Sequence, residues 1–180
     1  MQDTITAHDL SFVPFISEAE IAERVAAIGQ QLRQQYEGKR PLFICLLNGA
    51  FVFAADLVRA TGIECEVAFV RLASYDGTAS TGRISTVLGI DFEVKNRHVI
   101  IVEDIVDSGR TLHHFLEQLS QMETASVALA VLLFKPEALL MPVQIDYLGF
   151  EIPNKFVVGY GLDYDGLCRN LPSIYQLAKI

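Results

Sequence analysis

The run Val99-Ile100-Ile101-Val102-Glu103-Asp104-Ile105-Val106-Asp107-Ser108-Gly109-Arg110-Thr111-Leu112 restricts the fold more than any other stretch of the chain. It reads as a buried strand that ends in two carboxylates, continues into a third, and turns through Ser-Gly into the start of a helix. Such a corner presents backbone N–H groups, two hydroxyls and the positive end of a helix to an anion, so a phosphate belongs there. Glu103, Asp104 and Asp107 would repel a bare phosphate. The ligand must therefore also carry hydroxyls, a cation-bridged group or a protonated base, and a phosphorylated sugar with a divalent metal meets both demands. For any one of these residues an ordinary strand-to-helix corner with solvated acids is the plain alternative. Together, three acids and a glycine turn at the carboxyl end of an apolar strand mark the place where open parallel sheets bind ligands.

The remaining pattern supplies such a sheet. Ser17-Glu18-Ala19-Glu20 is a capping box, and Ile21, Val25, Ile28 and Leu32 fall on one face of the helix it opens, which runs to about Gln35. Pro41 admits the continuous apolar run Leu42 to Leu47, a fully buried strand. Ala50 to Ala60 follows as a helix before a Thr61-Gly62 stop. Glu64 to Leu72 is the next strand, and Ala73 to Arg83, rich in Ser, Thr, Gly and Asp, is a loop with Thr86 to Ile90 pairing back as a hairpin arm. His98 to Glu103, Val127 to Phe134, Tyr147 to Phe150 and Phe156 to Tyr160 complete the strands, with Arg110 to Gln121 a helix between the first two. Apolar strands alternating with helices predict an α/β fold with a mainly parallel, doubly wound sheet flanked by helices. No linker or repeat divides residues 1–180, so one domain is expected.

Charge and cysteine usage narrow the partners. A net charge of −8 and a pI near 4.9 disfavour nucleic acid, whose backbone demands clustered Lys and Arg. Cys45, Cys65 and Cys168 are odd in number and lack CxxC spacing, which argues for reduced thiols over a disulfide framework or a zinc site. Cys45, inside an apolar strand, reads as a core thiol. Met1 to Leu10 is too polar for a signal peptide, and no apolar run approaches the ~20 residues that span a bilayer. A soluble, cytoplasmic protein is expected.

The string from Val99 to Leu112 resembles the phosphoribosyl-pyrophosphate (PRPP) signature of the purine phosphoribosyltransferases, in particular the hypoxanthine-guanine branch. Further matches follow in family order: Leu47-Asn48-Gly49, Ser74-Tyr75, Lys135, Lys155-Phe156-Val157-Val158-Gly159-Tyr160, Leu162-Asp163-Tyr164 and Arg169. The likeness covers nearly the whole chain from about residue 10. It implies a type I phosphoribosyltransferase-like fold, in which the first strands and the segment after Pro136 form a small hood over the carboxyl edge of the sheet. Glu103 and Asp104 would hold the ribose hydroxyls, and Asp107, Ser108, Gly109, Arg110 and Thr111 would cradle the 5′-phosphate. Leu47, Asn48 and Gly49, with a cis peptide between the first two, and Arg169 would meet pyrophosphate. Many relatives carry Lys where this chain has Asn48, so only backbone donors and an amide remain there; Arg110 replaces a Lys and keeps the charge.

The same resemblance implies a purine site of Lys135, Phe156, Val157 and Asp163. Lys135 would donate to O6, Phe156 would stack on the base and the Val157 backbone would read the ring edge. In isolation, Lys135, Asp163 and Arg169 read as solvated charges, and Phe156 reads equally as core or as functional. Asp163, Glu103 and Asp104 would serve Mg²⁺, Asp107 would accept the proton from N7, and Ser74-Tyr75 would form a lid over the site. The glycines around Asp163 have the wrong spacing for a dinucleotide motif, and His113-His114 receives no catalytic role. The expected activity is transfer of phosphoribosyl from PRPP to hypoxanthine, with guanine as a second base, in purine salvage by a homodimer or homotetramer. A xanthine-preferring enzyme and a non-catalytic PRPP-sensing regulator that binds RNA or DNA are the alternatives.

Overall fold

Strands β3 (Leu42–Leu47), β4 (Glu66–Arg71), β5 (His98–Val106), β6 (Ser126–Phe134) and β7 (Tyr147–Glu151) run parallel in the order β4-β3-β5-β6-β7. A computed structural model provides this description, covering residues 4–72 and 93–178. The unbroken apolar runs of the sequence become β3, β5 and β6 because these strands are covered on both faces. One face packs α1 (Glu18–Tyr36) and α2 (Phe51–Thr61) around Phe43, Phe53, Leu57 and Ile100; the other packs α3 (Arg110–Ser120) around Ile44, Ile101, Leu112 and Phe115. Cys45 lies wholly inside the first of these cores, and burial pushes its thiol pKa up to about 12.

After β3 the chain moves outward to β4, then crosses back to place β5 on the other side of β3. The order thus reverses between β3 and β5. At such a switch point the loops leaving the two strands turn apart, and a crevice opens at their carboxyl ends. A second, antiparallel sheet of β1 (Ile5–Ala7), β2 (Leu10–Ile16), β9 (Ile174–Leu177) and β8 (Val157–Val158), in that order, forms the hood, closed around Ala7, Phe12 and Val158. Among the described residues, no helix is long and apolar enough to cross a membrane.

The expected α/β class and helix placement hold, with boundaries one or two residues away. Three differences matter. β5 does not stop at Glu103 but continues to Val106, because β6 is long enough to pair Ile105 with Leu133 and Val106 with Phe134. The segment after Pro136 is divided: β7 joins the parallel sheet beside β6, and only β8 and β9 enter the hood. The strand expected over Phe156 to Tyr160 shrinks to two residues, since Gly159, Tyr160 and Gly161 all take positive φ (99°, 50° and 100°) and curl the chain back. A Cβ on Gly159 would strike the Ser173 carbonyl, so only glycine passes there. The expected loop over 73–83, its lid residues Ser74 and Tyr75, and the arm over 86–90 lie outside the described residues.

Candidate active site

Two helices start at the crevice without caps of their own. The N-caps of α2 and α3 are Ala50 and Gly109, neither gives a side-chain hydrogen bond, and neither helix has an acid in its first turn. Their first N–H groups and dipoles therefore face the space at the carboxyl ends of β3 and β5, the arrangement that takes anions. The Leu47-Asn48 peptide preceding α2 is cis. The turn before α3 is braced from outside: the N–H groups of Leu140 and Met141 donate to the Ser108 carbonyl at 3.0 and 3.1 Å. Gly109 has φ of 74°, and a Cβ there would come 2.7 Å from the Met141 carbonyl oxygen. No other residue fits that corner without moving the brace.

Between these helix ends stands the acid pair. Asp104 accepts the Ile105 N–H at 2.9 Å, and a Cβ on Gly49 would overlap the Asp104 carboxylate, so the loop after β3 lies directly against β5. Burial, with the neighbouring Asp104 adding to it, drives Glu103 well above the usual carboxylate range. Burial also lifts Asp104, to about 6, against the opposing pull of backbone N–H groups and the Arg169 charge, while Asp163 adds to the rise. Two adjacent acids whose burial raises both pKa values, near the carboxyl end of the central strand, suit hydroxyls or a cation.

The loop between β8 and β9 closes the same crevice from the hood. Arg169 pairs with Asp163 at 2.7 Å through Nη2 and donates from Nη1 to the Gly161 carbonyl at 2.7 Å; the Gly166 N–H donates to Asp163, also at 2.7 Å. These charges are partly buried and mutually paired, which corrects the reading of both as solvated loop charges. Among the described residues, no three ligating side chains converge to cage a metal ion. The oxygen donors of Asp104, Glu103 and Asp163 suit Mg²⁺ in its usual manner, in which one or two carboxylates share the ion with substrate oxygens and water.

On the far side of β5 from β3, the end of β6 delivers Lys135. It is only 6% exposed, its N–H donates to Val106 at 3.0 Å, and its ammonium meets the Asp107 carboxylate at 3.1 Å. The solvated-lysine reading fails for this residue. Phe156, by contrast, is 44% exposed, so it is not core; its ring stands 5.8 Å from Tyr164, edge-on, and 6.1 Å from Phe12. Val157 beside it is buried in the hood sheet. Arg110 points outward at the first turn of α3, and Thr111 is half-buried. His113 and His114 stay out of the site, bonded to the Pro142 carbonyl at 2.9 Å and to Glu117 at 3.2 Å.

The loops after β3, β5 and β6 thus supply Leu47 to Gly49, Asp107 to Thr111 and Lys135, and the hood supplies Phe156, Val157, Asp163 and Arg169. Phe12 and Asp56 also shape this region and had no sequence signal. Phe12 packs on Phe156 and Tyr164 within the hood, and Asp56 on α2 accepts from Tyr160, partners more than a hundred positions away in each case.

A parallel switch-point sheet with an anion turn, an acid pair and a hood defines a class of fold that the family comparison specifies further. The chain belongs to the phosphoribosyl transferase domain family, whose model matches residues 17–165. Within it, the chain is 43% identical over 160 residues to the hypoxanthine-guanine phosphoribosyltransferase of Lactococcus lactis, covering 88% of this chain and 87% of that protein. The corresponding enzyme of Streptococcus pneumoniae is 43% identical over 165 residues, covering 91% and 92%. Among solved structures, a hypoxanthine phosphoribosyltransferase from Staphylococcus aureus superposes with a TM-score of 0.87 at 34% identity, over 92% of this chain and 91% of that one.

Proposed function

We propose that this protein transfers the phosphoribosyl group of PRPP to hypoxanthine and guanine, releasing pyrophosphate and forming IMP and GMP. One observation carries the choice of base. Lys135 and Asp107 hold a donor and an acceptor 3.1 Å apart, and the hood leaves the Phe156 ring exposed. On a 6-oxopurine, O6 and N7 are neighbours on a single edge, which one forked side chain can span. An ammonium only donates, so it matches O6 and opposes the amino group of adenine. A pyrimidine has no N7 to offer Asp107.

In this reading the ring lies against Phe156, O6 accepts from Lys135, and the N7 proton faces Asp107. The 5′-phosphate sits on the N–H groups of Ser108 to Thr111, with Arg110 adding charge. Glu103 and Asp104, side by side near the carboxyl end of β5, take the ribose hydroxyls. Backbone N–H groups of Asn48 and Gly49, together with Arg169, hold the pyrophosphate. Arg169 suits that task because its planar fork meets two phosphate oxygens at once. As the bond from the anomeric carbon to pyrophosphate breaks, N9 of the base attacks that carbon, and Asp107 takes the proton that N7 loses. A bound Mg²⁺ supplies charge neutralisation for the departing pyrophosphate, with Asp104, Glu103 and Asp163 as its protein-side donors.

We further propose that residues 1–180 form one catalytic domain, that it works in the cytoplasm, and that it associates as a homodimer or homotetramer. Three free thiols support the compartment. Steady-state assays with PRPP and Mg²⁺ against hypoxanthine, guanine, xanthine and adenine test the central reading. Turnover of hypoxanthine and guanine with adenine inert is the expected outcome. Preference for xanthine or adenine, or PRPP binding without turnover, would overturn it.

A further inference from the structure

Tyr160 occupies a backbone conformation that costs an L-residue energy, with φ of 50°, although glycines stand on both sides of it at 159 and 161. A third glycine would relieve that cost. The side chain kept there is 94% enclosed by the core around α2, and its hydroxyl donates to Asp56 Oδ2 at 2.7 Å. Asp56 belongs to α2, the helix that follows Asn48 and Gly49.

The next residue shows what this anchorage holds. Gly161 lies so close to the Gly49 carbonyl that a Cβ would overlap it. Gly161 and Arg169 are bonded to each other twice: the Gly161 N–H donates to the Arg169 carbonyl at 2.9 Å, and Arg169 Nη1 donates to the Gly161 carbonyl at 2.7 Å. Any shift of Tyr160 moves Gly161, and with it both the guanidinium and the surface pressed on Gly49.

We infer that the Asp56–Tyr160 hydrogen bond is a positioning device for pyrophosphate, locking the Arg169 loop onto the helix that carries Asn48 and Gly49. The inference rests on the reading above that these residues hold pyrophosphate. Neither Asp56 nor Tyr160 touches the ligand; they set the distance between the two halves of its site. The purine end, built on β6 and β8, has no share in this bond.

The test uses the reverse reaction of the full chain, IMP with pyrophosphate and Mg²⁺, together with calorimetric titration of pyrophosphate. Tyr160→Phe keeps the ring and removes the hydroxyl, and should raise the KM for pyrophosphate roughly tenfold, the weight of one bond to a charged acceptor. The KM for IMP should stay within about twofold of the parent. Asp56→Ala should reproduce that split, while Asp56→Asn, which retains an acceptor oxygen, should restore most of the pyrophosphate affinity. An unchanged pyrophosphate KM in Tyr160→Phe and Asp56→Ala, or a parallel rise in both KM values with a lowered Tm, would overturn the inference. Arg169→Gln separates the two levels. If it too leaves pyrophosphate binding untouched, the pyrophosphate assignment itself falls and takes the inference with it; if it weakens binding while Tyr160→Phe does not, only the inference falls.

Discussion

The N-terminus of α1 and those of α2 and α3 are built in opposite ways. At α1, Ser17 accepts the Glu20 N–H at 3.3 Å while Glu20 returns to the Ser17 N–H at 2.8 Å, and Glu18 adds a second acid to the first turn. The protein satisfies this end with its own side chains, the Ser173 hydroxyl accepting the Glu18 N–H at 3.0 Å as well. At α2 and α3 no side chain does this, and the dipole ends are left facing an open space. A cap is worth about 1 kcal/mol of stability, so its absence twice at one sheet edge is a stability cost located where a ligand can offset it. The difference separates parts of the chain that serve folding from parts that serve binding, and each can be tested by what its removal disturbs.

The largest effect is expected at the lip of the α3 turn. Asp107→Asn should lower kcat by about 10² to 10⁴-fold, the usual weight of general-base catalysis, while PRPP still binds and Tm shifts little. Stopped turnover with a matching collapse of stability would place Asp107 on the folding side of the comparison instead.

Next, Lys135→Gln should cost roughly 1 to 3 kcal/mol of hypoxanthine and guanine binding, the range for a charge-assisted hydrogen bond. Measured KM values for the 6-oxopurines should rise and discrimination against adenine should shrink. Unaltered KM values in a folded variant would remove Lys135 from the base site.

The third expectation reverses the usual sign. Asp104 has its pKa raised from 3.8 to about 6 in the fold, so the folded state binds more protons than the unfolded chain between those values and loses stability as pH rises through that window. Asp104→Asn should therefore stabilise the ligand-free protein at pH 7 by about 1 to 3 kcal/mol while abolishing activity. Denaturant unfolding at pH 4 and pH 7 checks it: the advantage of the variant should be small at the lower pH and open up by the higher one. A variant less stable than the parent at pH 7 would mean that Asp104 supports the fold.

The smallest effect belongs to α1. Ser17→Ala should cost about 1 kcal/mol in unfolding free energy with kcat/KM unchanged. A change in kinetics from this substitution would break the separation between the capped and uncapped ends.

Sequence reading reached the parts of this molecule governed by local chemistry. The capping box at Ser17, the two-faced burial of β3, β5 and β6, and the Ser108-Gly109 turn that starts α3 follow from residue types and spacing within a dozen positions. It fell short where long-range pairing decides. β5 extends past its acids because of β6; β7 leaves the hood because an edge of the parallel sheet was open to it; Lys135 is buried because Asp107 comes to meet it. Neither β1 nor β9 has enough apolar length to declare itself alone, and β9 finds its partner β2 at the opposite end of the chain.

On the proposed reading that Lys135 and Asp107 meet the base, their pairing has a consequence for how the enzyme tells one base from another. With the site open, the buried Lys135 ammonium already rests on the Asp107 carboxylate, so a base does not enter an empty socket but displaces a contact already made. The correct purine hands each partner a replacement, an acceptor for the ammonium and a proton for the carboxylate. A base lacking the O6 acceptor or the N7 proton separates the ions and replaces only one of them. Selectivity is then stored before any ligand arrives, as the penalty of an unrepaid divorce between two charges, and it falls on the wrong base alone.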